Sequence, residues 1–241
     1  MNILPIRVAV LDSGWDRSIE EERMLPGVGL VDPKSDLLCS KSDDDRDSNG
    51  HGTACCDVVL QQCRKAQVLP VRVLGASLET SVETVTAGIA WSVRARARVV
   101  SLSIASLTTH VVMPLFRSCE VARRNGCIVI AATVNGQQSG YPATFEGVFG
   151  VGLHRYRDCP GLCFDPDAAV EFSVPDRVWW ARGLSGRRYA LRGSSFATAF
   201  VSGYVADILS SNPEWRHAEI RNFLSRNLPR GASQTEQRMG S

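Results

Sequence analysis

Several things are scarce in this chain, and each scarcity excludes a class of function. No run of about 18 apolar residues occurs in the 241 residues, so no membrane-spanning helix is expected and no membrane partner is implied. An excess of one charge is also missing, because 27 basic residues stand against 25 acidic ones for a formal net charge of +2. With no long basic block, the footprint of a nucleic-acid binder is absent. The arginine-rich "VRARAR", Val93 to Arg98, reads instead as the exposed end of a helix, where cations complement the dipole. Repeats and low-complexity linkers are absent too. A single domain over 1–241 is therefore expected, with roughly the last ten residues as a flexible tail.

The start, "MNILPIRVAVLDSG", enters a strand pattern without room for the basic, apolar and small-residue parts of a signal peptide. A cytoplasmic location and no pro-domain are the resulting expectations. Cysteine, by contrast, is plentiful at eight. The spacings, including adjacent Cys55 and Cys56 and the pair Cys159 and Cys163, fit no regular zinc pattern. Most of these thiols read as small buried hydrophobes in a reducing compartment.

What is present is a regular alternation. Short apolar runs stand at Arg7 to Asp12, Gln67 to Leu74, Ala97 to Ala105, Cys127 to Val134 and Gly147 to Leu153. Helical spacing fills Thr80 to Ala97 and His110 to Gly126, the second closed by Asn125 and Gly126 as a C-cap. Strand, helix, strand in this order predicts an α/β fold whose parallel sheet is covered on both faces. Ligands gather at the carboxyl ends of such strands. At those ends stand Asp12 in "VLDSG" and Asn135 in "AATVNG", while His51 in "SNGHGTACC" precedes a small-residue helix. Each has an ordinary reading: a turn acceptor, an Asn-Gly turn, a lone histidine. In "RGSSFATAFVSG" two serines open a buried helix, and Ser194 or Ser195 could serve simply as its cap. A serine there also suits a nucleophile facing an oxyanion, since the macrodipole favours negative charge.

Taken together, "VAVLDSG", "GHGTACC", "VVSLSIA", "AATVNG" and "GSSFATAFVSG" resemble, in order and over almost the whole chain, the motifs of the subtilisin-like serine proteases, peptidase family S8. The resemblance implies a three-layer fold with a mainly parallel central sheet and helices on both faces. It further implies a catalytic triad of Asp12, His51 and Ser195, with Asn135 and the Ser195 backbone N–H forming the oxyanion hole. Substrate would lie between Ser103, Ile104 and Ala105 on one side and Ala132, Thr133 and Val134 on the other, with Gly140 at the base of the P1 pocket. The partner implied is a peptide or protein substrate; no cofactor and no metal are implied.

Several positions depart from the family pattern. Ala54 stands for histidine, Asp57 for glycine and Ala199 for proline, and the stretch after His51 is too short for the calcium-wrapping loop. Ala105 and Val134 stand where glycine is common, so a preference for small P1 residues is expected. Cys55 lies one helical turn after His51. The acidic run Asp43, Asp44, Asp45 and Asp47 reads either as a solvated loop or as an attraction for a basic substrate residue. An intracellular processing protease acting on a dedicated precursor peptide is the expected function. The alternative is a catalytically silent scaffold that binds peptides as an added strand.

Overall fold

The computed structural model describes residues 5–31, 38–42, 44–154 and 161–230. In chain order these form β1 (Ile6–Asp12), β2 (Val28–Val31), β3 (Leu38–Ser42), α1 (His51–Gln62), β4 (Ala66–Arg72), α2 (Val82–Arg94), β5 (Val99–Leu102), α3 (Val112–Arg124), β6 (Ile128–Ala132) and β7 (Val148–His154). There follow β8 (Cys163–Phe164), β9 (Phe172–Pro175), β10 (Trp179–Arg182), β11 (Arg188–Leu191), α4 (Ser194–Ser211) and α5 (His217–Asn227). The expected C-terminal tail, Asp43 and Cys159 lie outside the described residues.

Nine strands make one sheet in the order β3-β2-β4-β1-β5-β6-β7-β9-β8. All neighbours are parallel except the two edge pairs, β2 with β3 and β8 with β9. Both faces are covered, which is why the central strands read as unbroken apolar runs rather than as alternating ones. Along β1, Ile6, Val8 and Val10 face a core shared with α1, α4 and α5, whereas Ala9 and Leu11 face the core under α2 and α3. The result is the three-layer α/β arrangement.

Where the apolar runs overshoot the strands, the overshoot has a function. Pairing stops at Arg72, Leu102 and Ala132, and the residues just beyond leave the sheet to line a cleft. The helix ends follow their signals: Ser81 Oγ accepts from Thr84 N at 3.2 Å to start α2, and Asn125 closes α3. Of the arginine run, Arg94 does sit in the last turn of α2. Arg98 does not lie free, because it donates to the carbonyls of Gly126, Pro213 and Trp215 and pins the loop before α5. Cys55, Cys56, Cys63, Cys119 and Cys127 are buried free thiols. Cys163 departs from that expectation and is disulfide-bonded.

Candidate active site

β1 ends on Asp12, a fully buried carboxylate. Its Oδ1 accepts from Ser13 N at 2.7 Å and lies 2.7 Å from Nδ1 of His51. A carboxylate can only accept here, so Nδ1 carries the proton and Nε2 is the free ring nitrogen. Burial alone would raise the Asp12 carboxyl; the His51 charge, the bond to its ring and the Ser13 N–H outweigh that and hold it below the ordinary value. The Asp12 charge in turn raises His51 well above an ordinary imidazole, against the opposing effect of burial.

His51 is the first residue of α1, so its position depends on how that helix starts. Gly50 precedes it with φ 96 and offers no side-chain cap. Asp47 supplies the missing acceptor: its Oδ1 takes the N–H groups of Asn49 (2.9 Å) and Gly50 (2.8 Å). Its Oδ2 takes the N–H (2.9 Å) and the hydroxyl (2.7 Å) of Thr53. Ser13 Oγ accepts from Gly52 N at 2.8 Å. A Cβ on Gly52 would stand 2.5 Å from the Gly14 carbonyl, so only glycine lets α1 approach the loop after Asp12 this closely. At the next turn Asp57 is buried and accepts from Arg182 N (2.8 Å) and Nε (2.5 Å), clamping α1 to β10. The unusual acid at this position is thus a fastening between elements.

α4 decides between the two serines. Neither caps the helix, whose N-cap is Gly193 at φ 132, a conformation that disfavours any side chain. Ser194 is buried, and its Oγ lies 2.9 Å from both the Thr133 carbonyl and Asn135 Oδ1. Its N–H also donates to Asn135 Oδ1 at 3.0 Å. Because a backbone N–H can only donate, the oxygen of the Asn135 amide is fixed on Ser194, and its NH₂ is the group left for the cleft. Ser195 is 8% exposed and lines that cleft beside His51 and Asn135. No hydrogen bond joins Ser195 to His51 or engages the Ser195 N–H among the described residues.

The cleft has a volume of about 860 Å³. Ser103, Ile104, Ala105, Ala132, Thr133 and Val134 all line it. Gly140 lies directly behind two of them: a Cβ there would come within 3.2 Å of Val134 Cγ2 and 3.3 Å of Ala105 Cβ. Both added side chains therefore turn into the space over Gly140. Cys55 Sγ sits 3.9 Å from His51 Nδ1 and 3.5 Å from Ser103 Oγ. Burial, with the Asp12 charge, raises its thiol above the ordinary value. Asp12, His51 and Cys55 bring possible metal-ligand atoms within 4.8 Å of one another, but an ion there would have to replace the Asp12–His51 hydrogen bond.

Two carboxylates of the acidic run, Asp45 and Asp47, are buried and so cannot form a substrate-facing wall. Asp45 is buried in a pair with Arg17, whose Nε donates to Oδ1 at 2.8 Å. Asp47 is spent on α1, and Asp44 pairs with Arg46 at 2.8 Å. Two of these carboxylates turn inward because an arginine and a helix start satisfy them there. Sequence reasoning missed Asp47 as the residue that seats His51. Its signal was legible, since an Asp shortly before a helix whose own cap is glycine is a capping pattern.

The family model that matches residues 5–240 is described as the subtilase family. Subtilisin Savinase from Lederbergia lenta is 29% identical over 231 residues, covering 91% of this chain and 81% of its own length. Alkaline elastase YaB from Bacillus sp. (strain YaB) is 26% identical over 231 residues, and M-protease from Shouchella clausii (strain KSM-K16) is 29% identical over 231 residues. Both matches cover 91% of this chain and 58% of the relative, so the chain spans less than two thirds of those proteins' length. In structure the chain resembles sphericase with a TM-score of 0.77 at 18% identity, over 92% of this chain and 83% of that one. A family model that matches nearly end to end, over a fold and a cleft built as described, makes this chain a member of the subtilase family.

Proposed function

We propose that the chain is a serine endopeptidase working through an acyl-enzyme. Ser195 Oγ attacks the peptide carbonyl while His51 Nε2 takes its proton. The C–N bond then breaks as that proton passes to the leaving amine, and a water repeats the sequence to free the acid. Asp12 holds the ring in the tautomer that leaves Nε2 free and stabilises the imidazolium. The Asn135 NH₂ and the Ser195 N–H receive the oxyanion. The observation that carries this reading is the 2.7 Å contact of His51 Nδ1 with Asp12, at the wall of the cleft that Ser195 and Asn135 also line. That no hydrogen bond joins Ser195 to His51 among the described residues does not oppose it, since catalytic hydrogen bonds tighten in the substrate complex.

A fluorophosphonate probe tests the proposal, because only an activated serine is labelled. Labelling and peptide cleavage are expected in the unmodified protein. Both should vanish in Ser195→Ala, with a loss of about 10⁶-fold in kcat, the size known for subtilisin. A folded, unlabelled protein that still binds peptides would establish the silent scaffold instead.

The proposal extends to substrate and place. Val134 and Ala105 crowd the space over Gly140, which supports cleavage after small residues such as Ala, Gly or Ser. The reading includes a processing role inside the cell, on a dedicated precursor peptide, with which the five buried free thiols among the described residues agree and the disulfide at Cys163 does not. Differential alkylation of the protein taken from its native cells tests the location: a reduced Cys163 there supports it, and the disulfide found intact there overturns it.

A further inference from the structure

The basic residues of this chain are not evenly spread. Between Val174 and Arg192 there are five arginines, Arg177, Arg182, Arg187, Arg188 and Arg192, and one acid, Asp176, in a chain whose whole excess is +2. Two of the five are spent: Arg182 on Asp57 and Glu21, and Arg192 on Asp176 at 3.5 Å. Arg177, Arg187 and Arg188 make no ion pair among the described residues. Arg177 and Arg188 line a groove of about 240 Å³ between α1, α4 and β10, together with Gln62 and Trp180, and no carboxylate lines it.

Aromatic rings fix one of the two arginines in the groove. The Arg177 guanidinium lies over the Trp179 ring at 4.1 Å and within 5.2 Å of the Phe200 ring. Stacking holds its face, which leaves the N–H edge free to meet a carboxylate. Trp180 is 60% exposed, whereas its neighbour Trp179 is 6% exposed. A large indole turned outward beside unpaired guanidiniums is the kind of surface that marks a docking site.

We propose that this groove is an exosite for an acidic segment of the peptide substrate, its carboxylates paired with Arg177 and Arg188 and its chain laid on Trp180. The proposal rests on the peptidase reading for the identity of the bound molecule. Placement supports it in two ways. α1 runs from His51 at the cleft to Gln62 at the groove, about 16 Å at the rise of an α-helix, which an extended peptide covers in about five residues. β11 runs from Arg188 at the groove to Leu191, close before Ser195.

The test uses the full chain and two peptides that share a cleavage site. One carries a run of glutamates about five residues from the scissile bond, on either side of it, and the other carries glutamines there. The glutamate peptide is expected to show a KM about fivefold lower, as two exposed ion pairs allow. At about 0.5 M salt the two should converge. Arg177→Glu/Arg188→Glu should abolish the preference while a short fluorogenic substrate is cleaved at the unmodified rate. Arg188→Glu alone, at an exposed side chain, should reduce the preference. Fluorescence anisotropy with Ser195→Ala reads binding without cleavage. Cleavage without an acidic preference overturns the exosite and leaves the peptidase standing; binding of the glutamate peptide without cleavage by the unmodified protein does the reverse. A preference that survives Arg188→Glu and the double variant, or displacement of the glutamate peptide by a single-stranded oligonucleotide at lower concentration than by the peptide itself, also overturns the proposal.

Discussion

The starts of α1 and α4 meet at the same cleft, yet they are finished in opposite ways. Both follow a glycine of positive φ, Gly50 and Gly193, and neither has a side-chain cap on its N-cap residue. At α1 the free N–H groups are satisfied by Asp47, Asn49 and Ser13, and two carboxylates, Asp12 and Asp47, lie at the positive end of the dipole. At α4 the Ser194 N–H is taken by a neutral amide oxygen, and the Ser195 N–H is left open. The difference teaches which charge each end is prepared to hold. On the proposed mechanism a cation forms on His51, which a bare helix N-terminus would oppose, so acids offset the dipole there. An anion forms beside Ser195, and there the dipole is left uncompensated.

The strongest test of this contrast removes the neutral partner at α4. Asn135→Leu deletes the NH₂ that faces the oxyanion, and kcat is expected to fall about 10²–10³-fold with KM little changed. A rate within a few-fold of the unmodified enzyme would mean that the two helix starts do not differ in function.

Specificity sharpens the contrast next, because Val134 stands immediately before that same asparagine. Val134→Gly should raise kcat/KM for substrates with Phe or Tyr at P1 about tenfold or more, as relief of overpacking of about 1–3 kcal/mol implies. Efficient cleavage after Phe by the unmodified enzyme, read in a peptide library by mass spectrometry, would break the expectation.

At α1, Asp47→Asn keeps the shape but cannot accept the same set of N–H groups. Stability should fall by about 2 kcal/mol, or roughly 4–8 °C in Tm for a domain of this size, with a smaller loss of kcat as His51 shifts. A thermal melt checks the first part and steady-state kinetics the second. An unchanged Tm would show that α1 does not need the carboxylate.

The smallest effect is on pH dependence. A general base must be neutral, and His51 is raised above its ordinary value by Asp12, so the acid limb of kcat/KM should lie above pH 6.5, the unperturbed histidine value. Asp12→Asn should move it down. The same pair stabilises the fold only while both charges exist. Its contribution is lost as pH falls through the lowered value of Asp12 and again as pH rises through the raised value of His51. A pH–rate profile in which the limb is unmoved by Asp12→Asn would remove Asp12 as the cause.

Much of this is legible in the sequence itself. The central strands read clearly because a parallel sheet covered on both faces demands uninterrupted apolar runs, and β1, β4, β5, β6 and β7 have them. Strands of only two to five residues such as β2, β3 and β8 are too short to show a period or a long apolar run of their own, and they were not readable. Asp12, His51, Asn135 and Ser195 could be singled out by residue type and by their places at strand ends and helix starts.

Other assignments waited for the tertiary structure, for a physical reason common to them all: the direction of a polar side chain is set by partners far away in sequence. "GSSF" does not say which serine is free, and Asn135, 59 residues away, decides it by accepting from both the N–H and the hydroxyl of Ser194. "DDDRD" looks like a solvated wall, and Arg17 together with the start of α1 turns Asp45 and Asp47 inward. A run of arginines from 177 to 192 carries no sign of which are paired. Asp57, 125 residues from Arg182, takes one of them, and the groove keeps two. Sequence by itself determined which segments form the sheet's central strands and the chemistry available at their ends; only the fold decided their order in the sheet and which of those groups face one another, because that depends on contacts between chain segments that local pattern does not encode.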